Sequence, residues 1–136
     1  MDDTEKLVET FKNLSDLEYE IVFIDSVYKK LKSVTRQDIR TTSALFIYMS
    51  VVETLKKYKN YASIGNRTVP HEDVVDLVIS KGESFLRNVA NDESKAPYTC
   101  QSITDLYDIV KDLWYVLKSE LLDTPEYAYL KPENTE

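Results

Sequence analysis

Apolar residues recur every three or four positions through four long segments of this chain, at 16–34, 36–59, 70–90 and 103–122. Each segment opens on a helix-start signal, and almost nothing alternates apolar and polar residues with the period of a strand. A chain patterned in this way is expected to be all-α: a compact bundle of four main amphipathic helices, preceded by a short helix over Thr4–Asn13. Two glycines and four prolines in 136 residues leave few places for tight turns, which suits long helices. That length predicts a single domain over 1–123, followed by a mobile acidic tail over 124–136.

Local signals place the elements. Ser15-Asp16-Leu17-Glu18 is a capping box, in which Ser15 accepts from a first-turn N–H and Glu18 reaches back to the Ser15 amide. Leu17, Ile21, Ile24, Tyr28 and Leu31 then form one stripe, with acids in the first turn and Lys29, Lys30 and Lys32 in the last, as the helix dipole favours. Thr35 to Asp38 repeats the box with a shorter acid, so the next helix starts close behind. That helix is apolar over a broad arc, which predicts the most central position. Asn60–Val69 reads as a loop around Gly65, and Pro70 suits a first helical turn. Gly82 interrupts the following segment, but the spacing 75, 78, 82, 85, 89 stays in phase and predicts continuity. Asn91–Gln101 reads as a loop, with Ser102 or Thr104 capping the last helix. Leu45, Met49, Val52, Ile24, Trp114 and Val110 are the expected core.

Several functions are disfavoured by what the sequence lacks. Cys100 is the lone cysteine, which excludes an intramolecular disulfide and a multi-cysteine zinc site. No glycine-rich phosphate loop, paired His-Glu metal helix or calcium loop occurs, so no cofactor or metal is implied. The acidic start lacks the basic and apolar regions of a secretory signal, and the longest apolar cluster, Ala44–Met49, is far short of the about 20 residues that span a bilayer. A cytoplasmic or other intracellular location without membrane association is expected. His71 is the single histidine, and its setting predicts a solvent-facing first-turn residue. Arg67 and His71 are separated by a three-residue spacer containing proline, shorter than the polar spacer between arginine and histidine in helical nucleases. Glu72 and Asp73 after His71 would repel a phosphoryl group on its ring. An enzyme site near Arg67 and His71 is therefore kept only as an alternative reading.

Charge is distributed in blocks. Residues 1–28 carry −6, residues 29–70 carry +7 and residues 71–136 carry −8, for a net charge of −7. Lys29, Lys30, Lys32, Arg36 and Arg40 gather near the hairpin between the second and third helices, and a polyanion is the alternative ligand there. The overall negative field disfavours nucleic acid. Ten tyrosines are too many to bury with every hydroxyl satisfied, and exposed tyrosine is a common contact residue at interfaces. Asp108, Asp112, Tyr115 and Tyr127 therefore form the leading candidate site. They point to a non-enzymatic protein–protein interaction module, a regulator, inhibitor or adaptor, whose partner offers a basic surface. Self-association of the acidic face with the basic hairpin is a further expectation.

Overall fold

The computed structural model describes residues 3–12, 14–33, 41–89 and 97–127. Among them are five helices and no strand: α1 Asp3–Phe11, α2 Asp16–Lys32, α3 Thr41–Ile64, α4 Glu72–Val89 and α5 Pro97–Leu122. Helices α2 to α5 run up, down, up and down. The antiparallel sense follows from contacts whose order reverses: Lys30–Thr54 with Glu20–Tyr58, Lys56–Glu83 with Lys59–Asp76, Trp114–Asp25 with Tyr107–Tyr28, and His71–Glu120 with the groove that Leu77 and Ile109 line. The ring closes where α5 packs on α2, while the α4–α5 seam is the most open of its four sides. No helix of the described residues is long and apolar enough to cross a membrane.

Helix α2 begins with the predicted capping box. The Glu18 amide donates to Ser15 Oγ at 3.2 Å, and the Ser15 amide donates to Glu18 Oε1 at 3.1 Å. The corresponding Thr35–Asp38 box lies outside the described residues, as do Arg36 and Arg40. Helix α3 runs past the predicted end at 59, because Tyr61 and Ala62 extend the stripe that Leu55 and Tyr58 began; Ala62 is buried and Tyr61 half-buried. It stops in a Schellman turn. The Arg67 amide donates to the Ala62 carbonyl at 2.8 Å and the Asn66 amide to Ser63 at 3.2 Å. Asn66, not Gly65, takes the left-handed conformation, with φ of 56°. Helix α5 starts at Pro97, earlier than the expected cap at 102–104, since proline lacks only an N–H that a first turn leaves unpaired anyway.

The core is built from one stripe per helix: Ile24, Val27 and Leu31; Val51, Leu55 and Tyr58; Val75 and Val78; Leu106, Val110, Leu113 and Leu117. Val52, Ile24 and Val110 are buried as expected. Leu45 and Trp114 only flank the core, and Met49 is 51% exposed. The reason is rotational: α3 turns the row 48, 51, 55, 58, 62 inward, and Met49 and Phe46 fall outside it. Broad apolar coverage thus marked an exposed patch as well as a core face.

Helix α4 continues through Gly82, and packing explains the glycine. A Cβ there would lie 2.6 Å from Val52 Cγ2 and 3.7 Å from Tyr48 Cδ1. Those two residues pack α3 on α4, with the Tyr48 ring stacked 3.9 Å from Phe85. Alanine is the better helix former by about 1 kcal/mol. Forcing a methyl against a buried β-branched side chain costs about 1–3 kcal/mol. Gly82→Ala is therefore expected to lower stability by a net of about 1 kcal/mol. Urea denaturation measures this, and a gain in stability would show that α3 and α4 do not meet here.

Candidate functional site

The site is assembled on α5 and its open seam with α4. Buried Ile103, Leu106, Val110, Leu113 and Leu117 fix which way α5 faces. That choice sends Lys111 and Lys118 to the α2 side, where their ammonium groups sit 5.5 Å and 4.2 Å over the rings of Tyr107 and Trp114. Asp108, Asp112 and Tyr115 share the adjoining solvent-facing stripe, spaced three and four residues apart, with Lys111 and Lys118 one turn either side of Tyr115. Tyr115 is 57% exposed, and its ring edge rests on Trp114 at 4.9 Å. Trp114 itself is held by stacking on Tyr28 at 4.5 Å and by donating from Nε1 to Asp25 Oδ1 at 2.9 Å. The exposed tyrosine thus stands on an ordered base.

Beside this stripe, Val74 and Leu77 of α4 face Ile109, Leu113 and Val116 of α5 across a groove of about 280 Å³. Leu77 is 45% exposed and Val116 43%. Asp112 and His71 supply the polar lining. His71 is not the solvent-facing residue its sequence setting suggested. Its side chain is only 25% exposed, and Nε2 lies 3.0 Å from Glu120 Oε2. This pair ties the start of α4 to the end of α5 where the groove closes.

Tyr127 does not join the stripe. Its hydroxyl donates to Glu18 Oε2, fastening the chain after α5 to the start of α2. That bond, more than any other influence, holds the Glu18 carboxyl below its usual range, against the opposing effect of burial. The described members of the basic group, Lys29, Lys30 and Lys32, likewise have partners within the chain. Lys29 pairs with Asp25 at 2.9 Å, Lys30 donates to Thr54 Oγ1 at 3.1 Å, and Lys32 lies 5.6 Å over the Tyr28 ring.

The structural roles of two further residues escaped the sequence reading. Arg67 has a side chain only 7% exposed. It donates to the carbonyls of Phe11 at 2.9 Å, Lys12 at 3.2 Å and Leu14, and its guanidinium stacks 4.5 Å over Tyr19. Asp16 lies 3.4 Å away. Arg67 therefore donates to carbonyls at the end of α1 and in the turn after it, a fixed structural task. Glu20 is fully buried in α2, where Tyr58 donates its hydroxyl to Oε1. Oε2 has no well-formed hydrogen bond, although the imidazole and amide of His71, just before α4, act on the carboxyl. Burial pushes the Glu20 carboxyl up, more than Tyr58 and His71 pull it down, and the Glu120 carboxylate adds to the rise. Burial likewise raises the Tyr58 hydroxyl, with Glu20 adding to it, and takes that of Tyr19 to about 12. Glu20 was legible in principle: it sits four residues before Ile24 and seven before Val27, on the buried row.

No group of three or more histidine, cysteine or carboxylate side chains among the described residues is placed to hold a metal ion. Compared with protein families, with curated proteins and with solved structures, the chain matches none of them.

Proposed function

We propose that this chain is a non-enzymatic protein-binding module whose docking surface is the acidic stripe of α5 with the adjoining α4–α5 groove. The observation that carries the reading is the juxtaposition of exposed Tyr115, exposed Asp108 and Asp112, and the half-exposed apolar pair Leu77 and Val116. Aromatic and aliphatic contact area supplies short-range energy, and the surrounding carboxylates steer a basic partner toward it. Polyanion binding at Lys29, Lys30 and Lys32 would compete with the contacts these lysines already make to Asp25, Thr54 and the Tyr28 ring. An active site at Arg67 and His71 would have to do without the Arg67 guanidinium, which already serves three carbonyls.

Affinity capture from a lysate, run in parallel with the wild-type chain and with Asp108→Lys, Asp112→Lys, Tyr115→Ala, tests the proposal. All three positions are exposed, so helicity should be unchanged. A partner held by the wild type and lost from the triple variant is expected. The same proteins recovered on both would remove this surface from consideration.

A further inference from the structure

The shape and charge of the groove also specify what kind of segment fills it. We infer that the α4–α5 groove takes one face of a basic amphipathic helix from the partner protein; this rests on the protein-binding reading above. The described residues contain no strand, so no sheet edge is offered to an extended peptide. Two antiparallel helices with a shallow apolar seam instead present the furrow into which the side-chain ridges of a third helix fit. The lining spans His71–Leu77 on α4 and Ile109–Val116 on α5, about two helical turns or about 10 Å. A bound helix would therefore seat two or three apolar side chains spaced three or four residues apart. Val74 and Leu77 would receive them from one wall, Ile109 and Val116 from the other.

Charge selects the flanks of that helix. Asp112 lines the groove, Asp108 lies one turn before it on the exposed stripe, and Asp73 is exposed at the start of α4. Lys111 and Lys118 of α5 sit over Tyr107 and Trp114, on the side of the helix away from the groove, so that Asp112 and Asp73, rather than Asp108 with Lys111 one turn after it, are the carboxylates that set the charge at the groove. Lys81, exposed one turn beyond Leu77, marks where the acidic rim ends. A helix with lysine or arginine beside its apolar stripe is matched on both counts, whereas an acidic amphipathic helix is repelled.

The test titrates the full chain with a synthetic helical peptide of about 14 residues, long enough to cover the groove with a turn to spare. Its leucines repeat every three or four positions and its arginines flank them. Three registers of the stripe are tried, beside an isomer of identical composition with the leucines scattered around the helix. Backbone amide NMR shifts at Val74, Leu77, Ile109 and Val116 are expected with at least one register. Leu77→Asp with Val116→Asp should weaken that peptide at least about tenfold, and the scattered isomer should bind at least about tenfold more weakly than the striped one. Equal binding of the isomer, binding unaffected by the two aspartates, shifts that fall elsewhere, or no binding in any register each overturns the inference. Growth in mass with protein concentration that the two aspartates abolish also overturns it, since a second copy would then fill the groove. Loss of the captured partner on changing Asp108, Asp112 and Tyr115, but not on changing Leu77 and Val116, would leave the protein-binding reading standing and the helix-in-groove inference refuted. A partner insensitive to all five positions would refute both.

Discussion

Arg67→Ala is expected to cost about 3 kcal/mol of folding stability, although the residue stands outside every helix. A hydrogen bond to a charged group contributes about 1.5–3 kcal/mol, and Arg67 makes several at once. Its loss removes the donors to the carbonyls of Phe11, Lys12 and Leu14, of which Phe11 keeps the Leu14 amide at 3.0 Å, and removes the cation over the Tyr19 ring. Lysine should not rescue it. One ammonium on a flexible stem cannot reproduce the planar fork that reaches three carbonyls from a nearly buried position. Urea denaturation of Arg67→Ala and Arg67→Lys measures both. Losses under about 1 kcal/mol would mean that the α1–α2 turn is not fastened in this way.

Glu20 carries the second large effect, and its sign follows from linkage. Burial raises the Glu20 carboxyl above its unfolded value. The folded chain therefore holds that proton more tightly than the unfolded chain. Stability contributed by the neutral acid is fully present below the ordinary carboxylate range and is lost as pH rises through the raised value. Glu18 works in the opposite direction. Its carboxyl is lowered, so its contribution is present above the ordinary value and fades as pH falls. Comparing Glu20→Gln with wild type cancels Glu18 and reports Glu20 together with the His71 and Glu120 charges that act on it, since glutamine does not titrate. The stability of the variant relative to wild type is expected to rise by about 1–2 kcal/mol between about pH 4 and about pH 8, the scale of an imperfectly compensated buried polar group. Thermal melts across that range check it. A difference independent of pH would show that the carboxyl is hydrated.

Much of the fold was legible because helix periodicity and capping chemistry are local. The Ser15–Glu18 box, the in-phase passage through Gly82 and the stripe of α5 each follow from neighbours within a turn or two. What failed was rotational or long-range. Met49 shares the apolar arc of α3, and only the placement of α2 and α4 decides that it faces outward. Arg67 and Glu20 act on partners 53 and 38 residues away along the chain, at Leu14 and Tyr58, which no local pattern reports. The candidate site divides in the same way. Asp108, Asp112 and Tyr115 fall on one stripe because of spacing within α5. The adjoining groove needs α4, and Tyr127 was drawn off by Glu18 at the far end of α2.

The proposed binding face can be located without any mutation. Amide hydrogen exchange of the chain, alone and saturated with its captured partner, reports which segments the complex covers. Slowed exchange is predicted over residues 72–78 of α4 and 105–116 of α5. Exchange should be unchanged near Lys29, Lys30 and Lys32 and around the exposed apolar pair Phe46 and Met49. A footprint at those basic or α3 residues, with α4 and α5 exchanging as in the free chain, would contradict the assignment of the binding surface.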